Sequence, residues 1–148
     1  MEKIPLLWIF ILLCVSAGCK KSKTATTDPI IPMGITAKIN GANWAAQYIS
    51  HISTTGSANY IELSGYDSTG RSVMLRVNNF KNRGTYNIPN ANDSAFYSTD
   101  YNTFATFLTA TTGQVVIQSV TDSTVGGIFS YTAGSVTVTE GIFNVRYD

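Results

Sequence analysis

Cysteine, histidine and charge are all scarce in this chain of 148 residues. Two cysteines and one histidine are too few for a four-ligand zinc site, and they leave little material for a nucleophile–histidine–acid triad. Charged residues make up only 13% of the chain and the net charge is +1, so no large field of one sign is present to attract nucleic acid. The sequence also lacks a glycine-rich phosphate loop and a nucleophile elbow. These absences predict a non-catalytic chain with no cofactor, no metal and no nucleic-acid partner.

Residues 1–18 have the pattern of a signal peptide. A short basic start is followed by an uncharged, apolar stretch from Ile4 to Val15. This stretch is too short to span a bilayer and is typical of the hydrophobic region of a signal. Small residues then lead into Cys19, an ending that resembles the bacterial lipobox, in which the cysteine after the cleavage site carries the lipid. The alternative is an ordinary cleaved signal that leaves Cys19 as an unpaired thiol.

The lipobox resemblance implies that acyl chains on Cys19 anchor the mature protein to a membrane. Dual or triple acylation is a stable anchor because each buried methylene contributes about 0.8 kcal/mol. Residues 19–34 are mostly small and polar with two prolines, and they predict a flexible tether. Its lysines, at 20, 21 and 23, either contact anionic headgroups or simply keep the spacer solvated.

Residues 35–148 alternate short strand patterns with turn residues and contain no convincing amphipathic helix. Apolar–polar alternation is clearest in Ile35–Ile39, Tyr60–Tyr66 and Ser72–Phe80, and turns are predicted at Asn40-Gly41 and Asp67–Gly70. Eight to ten such strands predict a single all-β domain, either an antiparallel β-sandwich or a small barrel. The other predicted strands are Trp44–Ile52, Thr85–Ile88, Ala95–Ser98, Phe104–Thr109, Gln114–Thr121, Val125–Thr132 and Val136–Tyr147.

The last predicted strand changes phase. Its apolar residues fall on even positions up to Val138 and on odd positions from Phe143 onwards. Because side chains alternate strictly between the two faces of a strand, one face stays apolar only if an extra residue is inserted. We expect this β-bulge at Glu140-Gly141, with the glycine taking the special backbone angles.

Aromatic residues are numerous, and several lie in the irregular segment between Pro89 and Gly113. Aromatic rings beside Asn, Asp and Gln are a usual way for a β-sandwich to hold sugar rings. The candidates for such a site are Trp44, Phe96, Tyr97 and Tyr101. The alternative for each is core packing, which is the favoured interpretation for Trp44. Other aromatic residues of this domain include Tyr48, Tyr60, Tyr66, Tyr86, Phe104 and Phe107.

The polar residues offer weaker candidates. His51 is predicted to face solvent at a strand end, and a hydrolase would need a nucleophile or a carboxylate pair beside it. The aspartates at 67, 93, 100 and 122 do not follow the spacing of a calcium loop. The cations at 71, 76, 81 and 83 are predicted to solvate an exposed hairpin rather than to hold an anion.

Three short segments place a serine directly after an aspartate: Asp67-Ser68-Thr69, Asp93-Ser94-Ala95 and Asp122-Ser123-Thr124. Each resembles the Asp-Ser/Thr-apolar acceptor that Bacteroidetes use for protein O-glycosylation in the envelope. That resemblance implies sugars on Ser68, Ser94 and Ser123, all in predicted loops. The same residues make ordinary hairpin turns, and both interpretations stay open.

Several segments resemble a family of small, uncharacterised lipoproteins from Bacteroidetes. They are Thr36–Trp44 (TAKINGANW), Gly84–Tyr86 (GTY), Gly127–Ala133 (GIFSYTA) and Val136–Tyr147 (VTVTEGIFNVRY), together with the lipobox and its lysine-rich tether. The resemblance implies an all-β envelope lipoprotein and brings no activity. Surface-exported lipoproteins of that group often carry an acidic run after the lipidated cysteine, where this chain has Lys20-Lys21-Ser22-Lys23. An outer-membrane position facing the periplasm is therefore expected, with surface display as the alternative.

These patterns predict an envelope-anchored module with a structural or protein-interaction role. Its expected partners are the membrane, through Cys19, and an envelope protein. The alternative is a module that binds a glycan or a small apolar ligand through loop aromatics. A contiguous exposed aromatic patch or an internal pocket would favour that alternative.

Lipidation at Cys19 has a direct test. When cells that express the full chain are fed labelled palmitate, we expect the protein to be labelled and the Cys19→Ser variant to carry no label, because the acylated thiol is gone. Equal label on both proteins would contradict the anchor.

Overall fold

The computed structural model describes residues 32–54, 59–103 and 106–147. The predicted signal peptide, Cys19 and most of the predicted tether lie outside these described residues, as do Phe104 and Asp148. Within the described ranges the chain forms eleven strands and no α-helix. The first strand begins at Gly34, one residue before the predicted start of the domain.

The eleven strands form two antiparallel sheets, which confirms the all-β prediction and decides for a sandwich over a barrel. The larger sheet has the order β2-β1-β11-β10-β9-β6 and the smaller sheet the order β3-β4-β5-β7-β8. The strands are β1 (Gly34–Ile39), β2 (Ala42–Ala45), β3 (Tyr48–Thr54), β4 (Tyr60–Tyr66), β5 (Ser72–Asn78), β6 (Gly84–Ile88), β7 (Ser94–Ser98), β8 (Phe107–Thr109), β9 (Thr112–Val120), β10 (Thr124–Ala133) and β11 (Val136–Arg146).

Strict alternation builds the core between the sheets. In β4 every second residue is buried, and in β5 Val73, Leu75 and Val77 are buried as the sequence predicts. Burying each such side chain contributes about 1.5–3 kcal/mol. The hydroxyl of Tyr131 in β10 donates a hydrogen bond of 2.7 Å to the carbonyl oxygen of Phe96 in β7, which joins the two sheets. Burial raises the pKa of Tyr131, so this phenol stays neutral.

The prediction of one strand over Trp44–Ile52 is wrong, because the chain crosses between the sheets inside that range. β2 ends at Ala45 in the larger sheet and β3 begins at Tyr48 in the smaller one. Each sheet holds one residue of the crossing: the amide of Ala46 donates to the Ile35 carbonyl, and that of Gln47 donates to the Tyr66 carbonyl. The crossing contains neither glycine nor proline, so no turn signal marks it.

The crossing also requires a glycine in the opposite sheet. A Cβ atom on Gly65 would lie 2.8 Å from the Cβ of Ala46 and 3.2 Å from the ring of Trp44. Because Gly65 of β4 has no side chain, the Trp44 ring has room to pack in the core.

The predicted bulge in β11 is present. Tyr131 of β10 pairs with Val138, and Phe129, two residues earlier, pairs with Gly141, so β11 has one extra residue between them. The expected role of the glycine is wrong, because Glu140 takes the left-handed backbone conformation with φ at 49°. Gly141 is needed for space: a Cβ there would lie 2.5 Å from carbons of the Phe129 ring.

Candidate functional site

Three tyrosine rings stack on the outward face of the five-stranded sheet. We call Tyr48, Tyr66 and Tyr101 the tyrosine stack. Tyr48 and Tyr66 stand directly opposite each other in β3 and β4, with ring centroids 5.4 Å apart and planes 20° apart. Tyr101, from the loop between β7 and β8, lies on the other side of Tyr66 at 4.3 Å and 18°. Tyr48 is 58% exposed and Tyr101 40% exposed, so the stack forms a contiguous aromatic patch.

The loop that carries Tyr101 is fixed by hydrogen bonds. The Tyr101 amide donates to the carbonyl oxygen of Gly70 at 2.9 Å. The carbonyl oxygen of Asp100 accepts bonds from the hydroxyls of Ser98 and Thr106 at 2.8 and 2.9 Å. These bonds draw the loop over the end of the sheet. There Ser98, the last residue of β7, is fully buried although its side chain is polar.

The carboxylate of Asp100 organises the same loop. Its oxygens accept hydrogen bonds from the Thr103 hydroxyl at 2.9 Å and from the Asn102 amide at 3.0 Å. The hydrogen bond from the Thr103 hydroxyl has the largest effect on the pKa of Asp100, and the bond from the Asn102 backbone amide has the next largest. Together they hold this pKa below its ordinary value. The charged form is therefore the one that shapes the loop at neutral pH.

The turn between β4 and β5 supports the stack from the other side. The Asp67 carboxylate accepts bonds from the Thr69 amide and hydroxyl at 2.9 and 2.7 Å, and it pairs with the Arg71 guanidinium at 2.8 Å. Burial alone would raise the pKa of Asp67, but the bonds from Thr69 and Arg71 outweigh it and the pKa is lowered. This turn contains Gly70, whose carbonyl oxygen accepts the hydrogen bond from the Tyr101 amide.

The four predicted aromatic candidates separate in the structure. Tyr101 belongs to the tyrosine stack. Trp44 and Tyr97 are only 3% and 4% exposed, and both rings pack in the core. Burial raises the pKa of Tyr97. Phe96 is half-buried and pairs with Met74 and Thr109.

The selection of candidates missed Tyr48 and Tyr66. Pairing the strands predicted on either side of positions 53–59 about the centre of that segment sets position 48 opposite position 64, two residues away from the observed partner Tyr66. Sequence pattern therefore puts Tyr48 and Tyr66 on one face of the sheet but not directly opposite each other. It gives no signal for Tyr101, whose place depends on how the loop folds back.

The six-stranded sheet carries a second exposed patch. We call Val116, Ile128 and Ile142 the apolar row, since they stand directly opposite one another on β9, β10 and β11. Ile128 and Ile142 are each 39% exposed. The outward face of an antiparallel sheet is commonly polar. An isoleucine pair at the centre of this face is therefore unexpected.

Two open depressions border the apolar row beside the bulge. One, of about 460 Å³, lies toward β1 and β2 and includes Trp44 in its lining. The other, of about 430 Å³, lies toward β9. Glu140 and Ile142 line both, and Glu140 pairs with Lys38 at 2.8 Å. The buried indole nitrogen of Trp44 has no hydrogen-bond partner in the part of the chain that the structure describes.

The remaining polar candidates have local structural surroundings. His51 is exposed and lines an apolar cleft of about 320 Å³, and the described residues that line this cleft include no carboxylate. Arg71 pairs with Asp67, Arg76 lies 4.4 Å from the ring centre of Tyr60, and Lys81 lies over Tyr147. Among the described residues no group of three His, Cys, Asp or Glu side chains could hold a metal ion.

The three serines after aspartate differ in position. Ser68 is exposed in the β4–β5 turn, and Ser123 is half-buried in the β9–β10 turn. The prediction that all three lie in loops is wrong for Ser94, which is the first residue of β7 and is half-buried. The reason is that Asp93 ends the preceding turn, where its carboxylate accepts the amide of Asn78 at 2.7 Å.

Comparison with protein families gives one match, to the model described as Domain of unknown function (DUF6252), over residues 32–145. This range contains both exposed patches and every described strand but the last residue of β11. The chain belongs to the DUF6252 family. No curated protein and no solved structure matches it. Among the described residues of this DUF6252 domain, no helix is long and apolar enough to cross a membrane.

The Asp67 turn gives a testable pH dependence. Because the folded-state pKa is lowered, the carboxylate contributes stability that is present above its unfolded pKa and is lost as the pH falls through the folded pKa. Asp67→Asn is expected to cost about 1–3 kcal/mol at pH 7 in denaturant unfolding. Below about pH 4 the difference from the parent should shrink.

The control is Asp122→Asn, at an exposed turn position, which should leave the unfolding free energy within about 0.5 kcal/mol of the parent. A deficit of Asp67→Asn that stayed constant from pH 7 to pH 3 would contradict the assigned role of the carboxylate.

Proposed function

We propose that this DUF6252 chain is a non-catalytic lipoprotein of the Bacteroidetes envelope that binds a partner protein through the apolar row. The lipid on Cys19 anchors it, in the outer membrane and facing the periplasm. The observation that carries the proposal is the pair of exposed isoleucines, Ile128 and Ile142, at the centre of the six-stranded sheet.

The shape of this surface suits a protein better than a small ligand. Small-molecule sites are concave and enclose most of their ligand. The apolar row lies on a sheet face between two open depressions. A partner that covers the row would remove both isoleucines from water at about 25 cal/mol per Å² of apolar surface.

The surroundings of the row also have the chemistry of a protein interface. Protein interfaces place an apolar centre inside a polar rim. Here the rim contains the Lys38–Glu140 ion pair toward β1, and Gln114 and Ser130 toward β9. A rim of this kind gives orientation to a partner, while the apolar centre contributes most of the affinity.

The anchor restricts where the partner can be. Twelve residues lie between Cys19 and Pro32, and the thirteen Cα–Cα steps that link the two residues reach about 45 Å when fully extended. A lipid on Cys19 would therefore keep the domain close to the membrane. A partner in the envelope, either a membrane protein or a protein held near it, is within that reach.

Site-specific photocrosslinking tests the proposal. With p-benzoylphenylalanine in place of Ile128 in the full chain, irradiation of intact cells is expected to give a discrete adduct with another envelope protein. Adding Ile142→Asp should reduce the adduct at least tenfold, because a charge in the row must lose its water when the partner binds.

The matched control places the same photoreactive residue at Leu108, which is 37% exposed on β8 of the other sheet. It should not give that adduct. An adduct of equal yield from both positions would contradict the proposal, and so would one that contains only two copies of this chain.

A further inference from the structure

We propose that the tyrosine stack is a binding site for a neutral oligosaccharide, separate from the protein-binding surface. The stack lies on the outward face of the five-stranded sheet, and the apolar row lies on the six-stranded sheet. The two surfaces can therefore be occupied at once, and the proposal does not depend on a protein partner.

The exposed ring faces supply the first element of a sugar site. Tyr66 is covered on both faces by its neighbours, whereas Tyr48 and Tyr101 each have only one face inside the stack. Aromatic faces carry partial negative charge. The C–H groups on one side of a pyranose ring carry partial positive charge and form a flat apolar surface, so this side of a sugar packs on such a ring.

The stacked geometry does not suit a cationic ligand. An aromatic cage for an ammonium group needs rings that surround a gap. In the tyrosine stack the centroids are 4.3 and 5.4 Å apart and the planes are nearly parallel, so the rings fill that gap themselves.

Anionic ligands and nucleic acid are also disfavoured. Binding of phosphates depends on Arg and Lys side chains. The cation nearest to the stack along the β4–β5 turn is Arg71, whose guanidinium is already paired with Asp67. An uncharged, hydroxyl-rich ligand needs neither an aromatic cage nor an unpaired cation, and it is the class that fits this surface best.

Exposed polar residues flank Tyr48 and Tyr101 along the chain. Gln47 precedes Tyr48 in the chain and Asn102 follows Tyr101, and both are exposed. A side-chain amide can donate and accept hydrogen bonds, which is what neighbouring sugar hydroxyls require. Ser68, in the turn whose Gly70 carbonyl oxygen accepts the hydrogen bond of the Tyr101 amide, is also exposed and adds a hydroxyl.

The site is organised before any ligand arrives. Tyr48 and Tyr66 stand on paired strands, and Tyr101 is held by the Gly70 carbonyl and by the bonds around Asp100. Because the rings are already fixed, little conformational entropy is lost in ordering them when a ligand binds. Weak stacking contacts are then sufficient for binding.

Calorimetry on the full chain tests the site. The protein is kept in a polyoxyethylene detergent, since maltoside detergents carry sugar. It is titrated with cellohexaose, xylohexaose, mannohexaose, maltohexaose and N-acetylchitohexaose. At least one should bind, and Tyr48→Ala and Tyr101→Ala should each weaken that binding by about three- to tenfold, because each removes one stacking face.

Three variants serve as controls. Tyr60→Ala removes a tyrosine from the same strand as Tyr66 but from its opposite end, and it should leave the affinity unchanged. Tyr101→Phe keeps the ring and should bind within twofold of the parent. Ile128→Asp should also bind normally, which separates this site from the apolar row.

Failure of all five oligosaccharides to bind would overturn the proposal. It would also be overturned if Tyr48→Ala bound as tightly as the parent. Tyr48 decides this question because its ring is mostly exposed on an edge strand, so its removal leaves the fold intact, whereas loss of Tyr101 can loosen the loop.

Discussion

Between Val138 and Gly141, β11 contains one residue more than the strands on either side of it, and both neighbours change register at this point. The extra residue changes which face each later side chain takes. Val138 before it, and Phe143 and Val145 after it, all point into the core. Without it, either the valine or the two later residues would face water. The packing of the whole six-stranded sheet depends on this adjustment, because β11 is one of its central strands.

The same adjustment shapes the proposed protein-binding surface. It leaves Ile142 on the outward face, opposite Ile128, and it places the Glu140 side chain in the linings of both depressions. Gly141, beneath the Phe129 ring, allows the strand to pass close to β10. One irregularity in a central strand thus completes the core and exposes the apolar row. In the proposed account, the opposite sheet uses a different device, a loop folded over its end, to complete an aromatic surface for a sugar.

Much of this fold follows from sequence pattern alone. Parity of the apolar positions located the bulge, and alternation gave the inward residues of β4 and β5. The crossing at Ala46 and Gln47 was missed because the chain changes sheets there without glycine or proline. The alternation of a strand also does not show that Tyr97 is buried while Tyr101 is exposed. Tyr101 lies in a loop whose position depends on a long-range hydrogen bond to the Gly70 carbonyl. The tyrosine stack is a tertiary feature: alternation puts Tyr48 and Tyr66 on one face, but the direct pairing of these two residues is seen only in the structure.

The free energy of unfolding of a chain that lacks Glu140 tests the central claim most directly. Deleting this residue removes the bulge and leaves the two halves of β11 out of phase. The account predicts a loss of about 3 kcal/mol or more in denaturant unfolding, because either Val138 or the Phe143–Val145 group must face solvent. A deletion variant as stable as the parent would contradict it.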